Sequence, residues 1–206
     1  MLFRSVTICC DGKTSQLQKS VDDVKSLRAQ TERVVPPEVA LTESEFDIIR
    51  EAESNNNWMA RSPAGAAGVY QFTESTWNLI RNHPEGRKLG LTEDGRTSRD
   101  QTEQQIAMEF LVNDNAKSLK RQKVPVNLES IYFAHHFGVE HAQDVLNVPD
   151  NRRLPTELLN SKVLKYNPQL KGIKTAGDMK RYLDRTLDRG RDNIAARDNL
   201  TTDDVS

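Results

Sequence analysis

EAESNNNWMARSPAGAAGVYQFTESTW, residues 51–77, begins in the last turn of one helix and ends in the first turn of another. Just upstream, Thr42 is followed three residues later by Glu45, a capping box that opens a helix over Phe46, Ile49 and Ala52. Asn55, Asn56 and Asn57 favour a loop and end it. Ser62-Pro63-Ala64-Gly65-Ala66-Ala67-Gly68 is rich in turn formers, and Val69-Tyr70-Gln71-Phe72 has a short, strand-like composition. Thr73 then caps a helix that carries Trp77 and Ile80 and stops before Pro84.

Outward from this stretch the pattern stays helical. Gly86, Gly90 and Gly95 mark residues 83–98 as a loop. A long helix is expected from about Asp100 to Leu119, with Ile106, Ala107, Phe110 and Leu111 facing inward. Asn127 caps a helix in which Leu128, Ile131, Tyr132 and His135 share one face. Further helices are expected around Ala142–Leu146, Glu157–Val163 and Ala176–Leu187, and the polar composition beyond Arg189 predicts a frayed end. Before the domain, Leu17, Val21, Val24 and Leu27 fit a short amphipathic helix that ends ahead of Pro36-Pro37. Such a helix either docks a partner, packs on its own domain or belongs to a frayed arm. The division read from these signals is an N-terminal arm at 1–40, one all-α domain at 41–190 and a polar tail at 191–206.

The chain has 206 residues, a formal net charge of −1, 29% charged residues and 36% hydrophobic ones. That length suits one domain with tails. No run approaches the ~18–20 apolar residues of a membrane span, and a near-zero charge argues against a dedicated nucleic-acid binder. Cys9 and Cys10 are adjacent and do not staple a fold. The opening MLFRSVTICC is broken by Arg4 and Thr7, so no classical export signal is expected.

Several chemistries are poorly served. His135, His136 and His141 lack the i, i+4 spacing of a helical metal pair, so no metal is expected. Gly65 and Gly68 do not precede Lys-Ser/Thr, and there is no Gly-x-Ser-x-Gly elbow. No cofactor is expected. Glu53 is the candidate that remains. It lies at a helix C-terminus near apolar Ala52, where carbonyl dipoles and burial are expected to raise a carboxyl pKa, as a general acid requires. The alternative is a solvated helix-end glutamate.

The same stretch resembles the soluble lytic transglycosylase family of the lysozyme superfamily. The matching pieces are Glu53-Ser54, Ser62 to Gly68 as S-x-x-G-A-x-G, Val69-Tyr70-Gln71, and Thr76. Its ending, QF-x-x-x-TW, is most similar to phage-type, endolysin-like members. Ile131-Tyr132-Phe133-Ala134-His135-His136-Phe137-Gly138 resembles the A-H-F-F-G form of the family's A-Y-N-A-G motif. Together the pieces span about residues 42–147.

The resemblance implies a lysozyme-like helical fold, with a very small β element beside the groove. It also implies cleavage of the MurNAc–GlcNAc β-1,4 bond of peptidoglycan with a 1,6-anhydro product. Glu53 would be the catalytic acid and then the base, and Ser54 and Gln71 would line the groove. Gly68 would let the backbone approach the sugar. Tyr70 stands where many members have methionine and either stacks on a sugar or packs. His135-His136 replaces the usual Tyr-Asn, which leaves two readings open: His135 or Tyr132 lines the site beside Glu53, or both are core residues. No acidic residue lies between Asn55 and Gln71, and Glu74 is the nearest candidate for the second carboxylate of a hydrolase. The rival readings are a hydrolytic muramidase of the same fold and a virion or secretion component that mainly binds wall glycan. The expected partners are peptidoglycan strands, without nucleic acid. An enzyme of this kind, made in the cytoplasm, would reach the wall through phage lysis, a virion or a secretion apparatus.

Overall fold

The computed structural model describes residues 41–98 and 101–203, which fall in one compact unit. The expected arm helix and the paired cysteines lie outside the described residues. The α-helices are α1 (Glu43–Ser54), α2 (Glu74–Asn82), α3 (Gln101–Arg121), α4 (Leu128–Phe137), α5 (Ala142–Leu146), α6 (Ser161–Tyr166) and α7 (Ala176–Asp203). The all-α class read from the sequence is what the structure has.

Helix α1 starts and stops for the expected reasons. Thr42 and Glu45 form the reciprocal capping box, with the Thr42 amide 2.7 Å from Glu45 Oε2. Asn55 ends the helix in the left-handed region at φ 52°, which Asn tolerates better than most residues. Thr73 caps α2 and Asn127 caps α4. Helix α4 is the hub of the fold. It is buried without a break from Ser130 to Ala134 and contacts α3, α5 and α7. A helix apolar on several faces belongs in the interior.

Two expectations change on contact with tertiary structure. The inner face of α3 is not Ile106, Phe110 and Leu111, which are half-buried. It is Gln104, Ala107, Met108, Val112, Asn115, Ala116 and Leu119. Sequence periodicity missed Gln104, whose fully buried amide accepts a 2.7 Å hydrogen bond from the Val69 amide. The strand-like run Val69–Phe72 forms a turn. Gly68 at φ 79° and Gln71 at φ 50° curl the chain, leaving isolated bridges from Ala67 to Arg61 and to Phe72. Among the described residues no strand forms, and these bridges are all that answers to the small β element.

The C-terminus is a further correction. In place of a short helix and a frayed tail, α7 runs from Ala176 to Asp203 and packs along α1. Gly190 makes the close crossing possible: a Cβ there would sit 2.7 Å from the Ile48 carbonyl oxygen. Arg197 reaches buried Glu51 at 2.7 Å, and Asn193 donates to Asn55 at 3.3 Å. A polar surface misled the sequence reading because several of these polar groups bind the neighbouring helix.

Candidate active site

The last turn of α1 delivers Glu53 to the floor of a cleft of roughly 390 Å³. One wall is the turn segment 62–76, and the other comes from α6, the following 3-10 turn and α7. Helix α4 closes the floor with Tyr132, His135 and His136. The first wall is locally built. The Ser62 amide bonds the Ala66 carbonyl at 2.9 Å, and the Gln71 side chain folds back onto the Gly68 carbonyl at 2.7 Å. The second wall is tied to α1: Arg189 donates to the Ala52 carbonyl at 3.1 Å, supplying a cation at a helix end with no basic residue in its last turn.

The Glu53 side chain is 9% exposed, and its Oε1 is buried without a hydrogen bond of good geometry. His136 Nδ1 stands 3.5 Å from Oε1, and His135 Nε2 stands 3.7 Å from it. The Tyr132 phenol also faces the carboxyl. The two histidines differ. His135 Nε2 donates to the Tyr70 carbonyl at 3.0 Å, its ring meets Phe72 edge-on, and its Nδ1 is buried without a partner. His136 is partly exposed to the cleft and lies against the rings of Tyr132 and Phe137.

Burial pushes the Glu53 carboxyl up, but His136, then His135 and Tyr132, outweigh it and hold it below the ordinary glutamate value. This reverses the expected rise, because donors supplied by α4 overcome the desolvation that the sequence made visible. Burial lowers the His135 pKa against the pull of Glu53. Burial, followed by the Glu53 charge, raises the Tyr132 phenol well above its usual range, so it remains a donor.

Of the residues singled out from sequence, the fold brings Glu53, Gln71, Tyr132 and His135 into the cleft. Ser54, Gly68 and Tyr70 are not among the lining residues. Ser54 Oγ donates to the Val69 carbonyl at 2.9 Å and so ties the turn to α1. A Cβ at Gly68 would overlap the Gln104 amide, so an interior neighbour requires this glycine. Tyr70 is fully buried, and its hydroxyl bonds Arg50 at 2.9 Å and Gln105 at 2.5 Å. Glu74 is exposed in the first turn of α2 and does not line the cleft. Sequence reasoning missed Tyr166, Gln169, Tyr182, Thr186 and Arg189 on the second wall. They lie more than a hundred residues from Glu53 in a segment without a motif.

Among the described residues, no cluster of His, Cys, Asp and Glu has the arrangement of a metal site. No helix there is long and apolar enough to cross a membrane. No curated protein matches the chain. Residues 40–111 match the family model of the transglycosylase-like domain, a segment that holds Glu53 and the first wall but neither α4 nor α7. Together with the mostly helical fold and the buried glutamate on the cleft floor, the match at residues 40–111 supports a lysozyme-like, peptidoglycan-acting domain.

Proposed function

We propose that the protein is a lytic transglycosylase that cleaves the MurNAc–GlcNAc β-1,4 bond of peptidoglycan and leaves a 1,6-anhydroMurNAc end. The observation that carries this reading is the cleft's composition: Glu53 is the only carboxylate among its described lining residues. A hydrolase of the common two-carboxylate design needs a second one across the scissile bond, ~5–9.5 Å away. With a single carboxylate, the substrate supplies the nucleophile.

Protonated Glu53 gives its proton to the glycosidic oxygen as the bond to C1 of MurNAc breaks. The resulting carboxylate then takes the proton of the C6 hydroxyl while O6 closes onto C1. The proton returns to Glu53, and no water is consumed. The Tyr132 hydroxyl steadies the carboxylate between the two steps, and Gln71 contributes polar contacts to the glycan. His135 holds the floor of the cleft in register through the Tyr70 carbonyl. An occupied cleft excludes water, which reinforces the burial that already pushes the carboxyl up.

The QF-x-x-x-TW and A-H-F-F-G-like segments support a phage-type enzyme, released at lysis or carried on a virion, that acts at the cell wall.

Mass spectrometry of digested, purified peptidoglycan tests the reading. Products about 18 Da lighter than muramidase products, one water withheld, are expected. Reducing ends would make the enzyme a hydrolase with a carboxylate drawn in from elsewhere. Sedimentation with cell walls without Glu53-dependent products would make it a binding component.

A further inference from the structure

Glu53 has two histidines beside it, and they are not equivalent. The single N–H of a neutral His135 is committed, because only a protonated Nε2 donates to the Tyr70 carbonyl. A second proton on His135 would place a cationic N–H at Nδ1, a buried atom with no partner. His135 is therefore held as one neutral tautomer by the wall it braces. His136 is free of that constraint. Its Nδ1 is the closer nitrogen to Glu53 Oε1, its ring lines the cleft, and its partial exposure gives it exchange with solvent. A separation of 3.5 Å is one that a small side-chain rotation closes to hydrogen-bond distance.

We propose that His136 is the positioning residue that governs the charge of Glu53, with its Nδ1 acting as the proton-bearing partner of Oε1, whereas His135 is a fixed structural donor. The inference rests on the reading of Glu53 as the acid and adds a residue to it. The other groups facing the pair are Tyr132 and His135 from α4, and Tyr182 and Arg189 on the α7 side. Arg189 is committed to the Ala52 carbonyl, and Tyr132 stays neutral, so neither takes the place of the His136 imidazole beside Oε1. When His136 is charged, Glu53 is favoured as the carboxylate. Without His136, Glu53 loses the largest of the influences that lower its carboxyl, and burial holds the proton to higher pH.

The test is a carbon-13 NMR titration of the Glu53 carboxyl in the full chain, assigned by the signal that disappears in Glu53→Gln. It is paired with the pH profile of kcat/KM on soluble glycan strands. His136→Phe keeps the ring against Tyr132 and removes the proton, and His136→Gln is the second variant should the first not fold. The expected result is an upward move of the Glu53 midpoint in either variant, with the alkaline fall of kcat/KM moving by the same amount. A uniform loss of rate with an unmoved midpoint would overturn the inference, because a purely structural histidine does only that. A midpoint that moves in a protein that cleaves no glycan would support the pairing while removing the proposed function.

Discussion

The two walls of the cleft are built in opposite ways. The first, residues 62–76, takes its shape mainly from short-range turns and positive-φ positions, and a few bonds from Ser54, Arg96 and Gln104 anchor it to the helices. The second consists of side chains on α6 and α7 that reach the site only because α7 lies along α1. A turn of this kind carries most of its shape in its own residues. A wall made by helix packing depends on what holds the helices together, here Gly190, Arg189, Asn193 and Arg197. The first wall should therefore be brittle to changes within it, and the second to changes far from it.

The largest expected effect ignores the walls and tests what lies between them. Glu53→Gln should lower muropeptide release by ~10²–10⁴-fold or more while leaving the thermal transition intact, since an amide keeps the shape and removes the acid. Retained turnover would move the acid elsewhere and dissolve the comparison.

Gly190→Val should come next. The added carbons meet the Ile48 backbone, and the cost of over-packing is ~1–3 kcal/mol, visible as a lower melting temperature. Because α7 must tilt away, the second wall should open and KM rise further than the stability loss explains. An unchanged KM at reduced stability would show that the second wall does not touch glycan.

Arg197→Ala leaves buried Glu51 without its partner. The pair is half open on the arginine side, so we expect ~1–2 kcal/mol, below the range for fully buried pairs, and smaller still in high salt.

The pH response sharpens the site itself. As the proposed acid, Glu53 would work protonated, and its carboxyl is held low, so kcat/KM should fall as pH rises through that value. Stability runs the other way. His135 and Glu53 both have lowered folded-state pKa values, so both bind protons more readily in the unfolded chain. Stability from His135 should begin to decline below about pH 6.5, and that from Glu53 only at lower pH, through its ordinary range. A melting temperature that rose on acidification would contradict the buried, neutral His135.

The smallest effect belongs to Tyr166→Ala. This ring is 46% exposed on the second wall, so stability should barely change. If the ring stacks on sugar, KM should rise ~2–10-fold with kcat nearly constant.

Much of the first half of the site was legible because its signals are short-range. Thr42 with Glu45, the Asn55 stop and the Thr73 cap each need only neighbouring residues, and together they set where Glu53 ends its helix. Side-chain roles within the same stretch were less legible. Ser54, Gly68 and Tyr70 answer to Val69, Gln104, Arg50 and Gln105, three of which lie outside the motif or on another helix.

By itself, the sequence determined an all-helical domain, its helix boundaries around residues 42–82, and Glu53 as the candidate acid. Caps, turns and apolar periodicity act over a few residues, so they can be read without knowing what lies across the fold. Tertiary structure alone decided that α7 continues to Asp203 and walls the cleft, that α4 lowers the Glu53 carboxyl instead of leaving it raised, and that His136 differs from His135. Those outcomes depend on desolvation and on partners contributed by distant elements, and both quantities exist only once the chain has packed.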